Sequence, residues 1–306
     1  MAFNIHEEIR SNQIKSVFII GIFFLFIATL GAVVGSIISI NYTSQLFHLQ
    51  SILISVGVAV IISIIYILIF MASGSKMILS ATGAKPASRK HYPHLFHTTE
   101  ALSIAAGLST PPQCYVIDDP ALNAYATGFK PEKSYVVVTT GLIKKLNREE
   151  LEGVIAHEIA HIKNQDIKIM LLAAGLVGVT VFLADFLFRM FIFGSLNGNG
   201  GGKKDGKLII IIFAFYFILI VTAPIVAQLI KLAISRRREY LADATGAQLT
   251  RYPEGLASAL EKIKNDSHAD LKSANKATAH LFISMPFSKK KRGFLTKMFS
   301  THPPIE

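Results

Sequence analysis

The chain has 306 residues, a net charge of +11, 51% hydrophobic and 17% charged residues, and a mean hydropathy of +0.46. That is too apolar for an ordinary soluble domain and too charged for a protein made only of membrane spans, so a mixed architecture is required. The single cysteine, Cys114, excludes an internal disulfide and fits a reducing compartment; with no activating neighbour it reads as a small buried hydrophobe, not a nucleophile.

In chain order, residues 17–40 and 51–75 carry no charge, and each is long enough to cross a hydrocarbon core as a helix, which takes about 20 residues. The first exceeds the h-region of a cleaved signal and lacks a small-residue cleavage site after it, so it is expected to stay in the mature protein. Arg10 and Lys15 precede it, the turn 41–50 has no Lys or Arg, and Lys76, Lys85, Arg89 and Lys90 follow the second run. The positive-inside rule therefore places the N-terminus and the segment after residue 75 in the cytoplasm.

From about residue 80 to 166 the composition becomes globular. Residues 91–108 show helical apolar spacing with Gly107 near the end, and "QCYVIDD", "LNAYATGF" and "SYVVVTTGL" read as strands of a small antiparallel sheet. Asn147 with Glu150 three residues later is a capping box, and Leu151, Val154, Ile155 and Ile159 give the helix that follows an apolar face. That helix contains His157, Glu158 and His161 in the pattern H-E-x-x-H, which sets two imidazoles on one face where they can pinch a metal ion, with the glutamate beside them as a base. Its early turns hold Arg148, Glu149, Glu150 and Glu152, so the motif lies outside the lipid, just before a third apolar run.

That third run, 169–184, meets Asp185 and Arg189, which can pair at i, i+4; a fourth, 208–230, is uncharged but holds Thr222, Pro224 and Gln228. Between them 194–206 is glycine-rich and polar, a hairpin loop whose lysines run mildly against the orientation, while Arg236, Arg237 and Arg238 after the fourth run restore it. Four spans keep both termini on one side. The basic runs at 236–238 and 289–292 suit anionic lipid at a membrane surface, and no aromatic-basic motif supports nucleic-acid binding.

Two histidines leave a catalytic site one protein ligand short. The metzincin spacing would need a glycine and a third histidine where Asn164 and Ile167 stand, so the ligand comes from elsewhere. Glu239 and Asp243 lie one helical turn apart after the fourth run and are candidates, although acids there also balance three arginines. His302 remains as a further candidate; the other histidines, His6, His48, His91, His94, His97, His268 and His280, read as structural or surface residues, and His280 joins His302 as a ligand candidate only if neither acid holds the ion.

Taken together, "HEIAH" followed by "NQD", an apolar hairpin and "RRREYLADATGA", preceded by "NAYATG" and ended by "FSTHPPIE", resemble the HtpX-type integral-membrane zinc metalloproteases, more distant relatives of the CAAX-prenyl endoproteases. The resemblance spans nearly the whole chain. It implies a mainly α membrane protein with four transmembrane helices and a cytosolic α+β, zincin-like (gluzincin) protease domain. The parts are 1–79, a transmembrane hairpin; 80–166, the first part of the protease domain; 167–234, a second hairpin; and 235–306, its second part. It further implies one Zn2+ per chain on His157, His161 and Glu239, Glu158 as general base, and Asp243 holding a ligating imidazole. Asn123, Ala124, Tyr125 and Ala126 would form an edge strand to which an extended substrate adds. His302 would approach the site, although the Arg that the family carries a few residues after "THPP" has no counterpart before Glu306.

The expected function is a membrane-bound zinc endopeptidase acting on membrane or misfolded polypeptides in quality control and stress response. It would sit in the inner or plasma membrane with the catalytic domain in the cytoplasm, partnered by the lipid bilayer and its substrates and not by nucleic acid. Two rivals are a catalytically silent zinc-binding scaffold, which would not need Glu158, and a metal transporter, which would place acids or histidines inside the first two spans.

Overall fold

The computed structural model describes residues 5–39, 45–168, 170–172, 175, 236–266 and 282–283. It divides into two compact units, Met1–Ser16 with Ser73–Ala174 and Ile230–Glu306, and Val17–Ala72 with Gly175–Leu229.

In the second unit, the first two charge-free stretches are helical, within α1 (Ile5–Ser39) and α2 (Gln45–Ala81). Gly31 and Gly35 let the two backbones touch. A Cβ at Gly31 would lie 2.8 Å from the Val56 Cα, and one at Gly35 2.6 Å from the Ile52 Cα. Rising numbers on one helix meet falling numbers on the other, so the pair is antiparallel along a small-xxx-small seam, the packing helices use when surrounding lipid is as apolar as their side chains. Leu53, Ile54, Ile61, Ile62 and Leu68 of α2 are each more than half exposed. Among the described residues, Leu46–Ala81 is long and apolar enough to cross a membrane, and α1 adds the shorter apolar stretch Ile20–Thr29. The expected spans at 169–184 and 208–230 lie almost wholly and wholly outside the described residues.

The first unit is built on a four-stranded sheet of β1 (Lys85–Pro86), β2 (Gln113–Ile117), β3 (Ala124–Thr127) and β4 (Tyr135–Thr139). Its order is β1-β2-β4-β3, with β2 and β4 parallel and the other pairs antiparallel. The expectation of an all-antiparallel sheet is therefore corrected. β4 is buried at all five positions, the pattern of a central strand, and inserting it between β2 and β3 sets it parallel to β2. The apolar run that begins in β4 also stops sooner than a strand reading suggests. The Thr139 hydroxyl accepts from the Leu142 N–H at 3.3 Å and caps a short helix, α4 (Thr140–Lys145).

α3 (Pro93–Ala106) ends at Gly107, whose φ of 73° is the left-handed cap expected there. α5 (Arg148–Lys163) opens with the capping box: the Glu150 N–H donates to Asn147 Oδ1 at 2.8 Å, and the Asn147 N–H to Glu150 Oε2 at 2.9 Å. The sequence gives α5 one apolar face, yet every residue from Gly153 to Ile162 is buried. The cause is tertiary: α3, α6 (Arg236–Thr250), α7 (Pro253–Lys264) and strands β3 and β4 all pack on it.

Glu150 ties this arrangement together. Besides its capping bond it accepts from the Ser258 hydroxyl at 2.6 Å and the Lys262 ammonium at 2.7 Å. Burial alone would raise its carboxyl pKa, but the bonds from Lys262, Ser258 and the Asn147 amide outweigh burial and hold it below its ordinary value. A lowered folded pKa gives stability that is present above the ordinary value of 4.5 and lost as pH falls through the folded value. Glu150→Gln should therefore cost about 1–3 kcal/mol at pH 7, and thermal unfolding should show the gap from wild type closing below about pH 4.

Candidate metal centre

Two helices of the first unit bring three polar side chains to one buried point. α5 presents His157 and His161 on one face, as i, i+4 spacing requires, and α6 crosses it with Glu239 in its first turn. The crossing is close because Gly246 of α6 faces α5 without a side chain; a Cβ there would stand 3.2 Å from the His157 amide nitrogen. All three side chains are buried, with ligand atoms within 4.8 Å of one another. The two Nε2 atoms are 3.1 Å apart with their rings perpendicular at 88°. Glu239 Oε2 lies 3.7 Å from His157 Nε2 and 3.8 Å from His161 Nε2.

The opposite edge of each ring meets a carboxylate. Asp243 Oδ1 is 2.9 Å from His157 Nδ1, and Asp166 Oδ2 is 3.2 Å from His161 Nδ1. The Asp166 acceptor favours the His161 tautomer with the proton on Nδ1, and Asp243 lies against the same edge of His157; both Nε2 atoms face inward, toward each other and toward the Glu239 carboxylate. Three electron-rich atoms converging out of water repel one another unless a cation joins them. A tetrahedral ion with bonds of about 2.0–2.1 Å sets its ligand atoms roughly 3.3–3.4 Å apart, close to the separations found. The donor set fits a metal.

Burial lowers the His161 pKa, but Glu239, the Asp166 bond and charge, and Glu158 overcome that and push it up to about 9.

Asp166 had no assigned role in the sequence beyond its place in "NQD". It reaches His161 because α5 breaks: Asn164 closes the helix, Gln165 takes a left-handed φ of 56°, and the chain resumes helix at Asp166, which is fully buried. Only the polar "NQD" after the motif hinted at such a turn. Glu158 is buried beside the two histidines. Asn123 precedes β3, where its Oδ1 accepts from the Ala124 N–H at 3.1 Å, and Ala124, Tyr125 and Ala126 lie in β3, at the end of the sheet order. β3 packs against α5. His280 and His302 lie outside the described residues.

A buried His, His and Glu set, with a further Glu between the histidines and an edge strand against the same helix, defines the class of a metal-dependent hydrolase. Residues 90–306 match the model of Peptidase family M48. The chain is 40% identical over 307 residues to a "Protease HtpX homolog" of Listeria monocytogenes serotype 4a, covering 98% of this chain and 96% of that protein. Another, from Dictyoglomus turgidum, is 43% identical over 305 residues, covering 99% and 92%. A crystal structure of S. mikatae Ste24p aligns with 98% of this chain and 64% of its own, at 21% identity and a TM-score of 0.39. The chain belongs to Peptidase family M48 and is a metallopeptidase.

Asp166 meets the edge of the His161 ring opposite Nε2, where it would orient the imidazole and not ligate an ion. Asp166→Asn should lower the affinity for a divalent ion roughly 10–100-fold, read by competitive chelation on folded protein; an unchanged affinity would remove Asp166 from the site.

Proposed function

We propose that the protein is a membrane-bound zinc endopeptidase in which His157, His161 and Glu239 hold the ion, Glu158 is the base and Asp243 orients His157. The observation that carries this reading is the inward convergence of two Nε2 atoms and one carboxylate. Two nitrogens and one oxygen at tetrahedral spacing suit zinc, and three protein ligands leave the fourth position open, as catalytic zinc requires.

When bound there, zinc supplies a water of pKa near 7 and polarises a carbonyl. Glu158 would take a proton from the attacking water on its carboxylate and return it to the leaving nitrogen of the scissile peptide, so that water adds across the C–N bond and a carboxylate and an amine leave. β3 holds the substrate backbone extended beside α5 by main-chain bonds, which gives affinity without demanding one side-chain sequence. Such a mode suits unfolded or membrane-extracted polypeptides, and no nucleic-acid partner is invoked.

The apolar exposure of α2 supports a membrane setting, and the charge asymmetry around the first two runs supports a cytoplasmic catalytic domain. We assign four spans, with 1–79 and 167–234 as hairpins and 80–166 with 235–306 as the protease domain, in an inner or plasma membrane. His302 is left as an accessory candidate.

Two measurements test this reading. Glu158→Gln should keep one zinc per chain and lose casein cleavage in detergent by 10²–10⁴-fold or more, whereas Glu239→Ala should lose the zinc itself; cleavage by Glu158→Gln at the wild-type rate would refute the mechanism. In intact cells, a cysteine at Ile104 should be shielded from an impermeant thiol reagent and one at Asn199 labelled. The reverse pattern would invert the topology.

A further inference from the structure

β3 has one free side, and the chain itself occupies part of it. The Thr139 N–H of the strand-end pair donates to the Asn123 carbonyl at 3.0 Å, so the main-chain groups of Asn123 face β4. Strand alternation then turns those of Ala124 and Ala126 outward. At Ala124 that outward side is filled: its carbonyl accepts from the Ile283 N–H at 2.9 Å, and its N–H is taken by Asn123 Oδ1 at 3.1 Å. Phe282 sets its ring edge-on to Tyr125, with centroids 5.0 Å apart and planes at 76°. Tyr125 is held in turn by the Thr82 hydroxyl at 2.6 Å. Phe282 and Ile283 are each 1% exposed. Among the described residues, none bonds the outward groups of Ala126.

We propose that Phe282–Ile283 is a built-in occupant of the substrate's place on β3, which keeps the enzyme latent until a substrate displaces it from Ala124. The proposal rests on the reading that β3 receives the substrate. An extended peptide binding there needs the carbonyl that Ile283 already uses, and one acceptor direction cannot serve two N–H donors. Peptide and dipeptide therefore compete, and the apparent affinity for substrate falls by the fraction of molecules in which the edge is open. Two apolar side chains and a main-chain bond hold the closed form, and the substrate's length along Ala126 must outweigh them. Long unfolded segments would open the site and short peptides would not.

The test uses full-length, zinc-loaded protein in detergent. Ile283→Pro deletes the donated N–H, and Phe282→Ala deletes the ring against Tyr125. Each should lower KM for a short fluorogenic peptide, about 2–10-fold for Ile283→Pro and at least about 2–10-fold for Phe282→Ala, the worth of the ring pair alone, without lowering kcat. Variants that unfold like wild type but show unchanged or raised KM would make the dipeptide a fixed wall and overturn the proposal.

A second measurement needs no substitution. Hydrogen exchange resolved to single amides is followed on the wild-type enzyme before and after saturation with a phosphinic heptapeptide inhibitor. The Ile283 amide should exchange faster and the Ala126 amide slower once the inhibitor is bound. Protection of Ala126 with Ile283 unchanged overturns latency and leaves the substrate strand in place. No protection of Ala126 overturns the assignment of substrate to β3, and the latency with it.

Discussion

Two imidazole nitrogens 3.1 Å apart with a carboxylate oxygen close by, all buried, impose the constraint on which the rest of the structure depends. Burying electron-rich atoms costs free energy that only a shared cation or proton can recover. The scaffold around them keeps the three atoms aimed at one point. Glu150 fixes where α5 starts, Gly246 lets α6 lie close enough for Glu239 to reach, and the break at Gln165 returns Asp166 to the far side of His161. The raised pKa of His161 has the same origin: the carboxylates of Glu239, Asp166 and Glu158 around the ring favour its positive charge over the cost of burial.

Local features were legible in the sequence because local rules produce them. Asn147 with Glu150 signalled the start of α5, Gly107 the end of α3, and the i, i+4 histidines a shared face, since each depends on a few neighbouring residues. The complete burial of α5 was not legible, because it comes from five other elements closing around a helix whose own pattern shows one apolar side. The parallel pairing of β2 with β4 was missed for a related reason. Strand composition marks Val136, Val137 and Val138 as buried but does not say which strands lie to either side.

The site was legible in part. Glu239 and Asp243 stood out only as acids beside three arginines, and the family resemblance, not the spacing, separated their expected parts. The geometry puts Glu239 near both Nε2 atoms and Asp243 against Nδ1 of His157. Asp166 was hidden because its contribution needs a left-handed residue, and Gln165 is not a residue type that announces one. The contact of Phe282 with Tyr125 joins positions more than 150 residues apart, and no periodicity reaches that far.

One topological choice links these observations. Had β3 paired with β2 in sequence order, β4 would have stood at the end of the sheet; placing β4 between them leaves β3 at the edge, against the helix that carries the histidines. A strand that offers outward N–H and C=O groups can receive an extended peptide, and for the same reason it can pair with the wrong chain. The usual remedies of a charged or proline-bearing edge would spoil a peptide-binding strand, and "NAYA" has neither. What remains is a cover that uses the same hydrogen bond a substrate would use and that a sufficiently long substrate can replace. The Ile283 bond to Ala124, anchored by Phe282 on Tyr125, has that form. On the proposed reading, protection of the edge and restraint of the protease are then one contact.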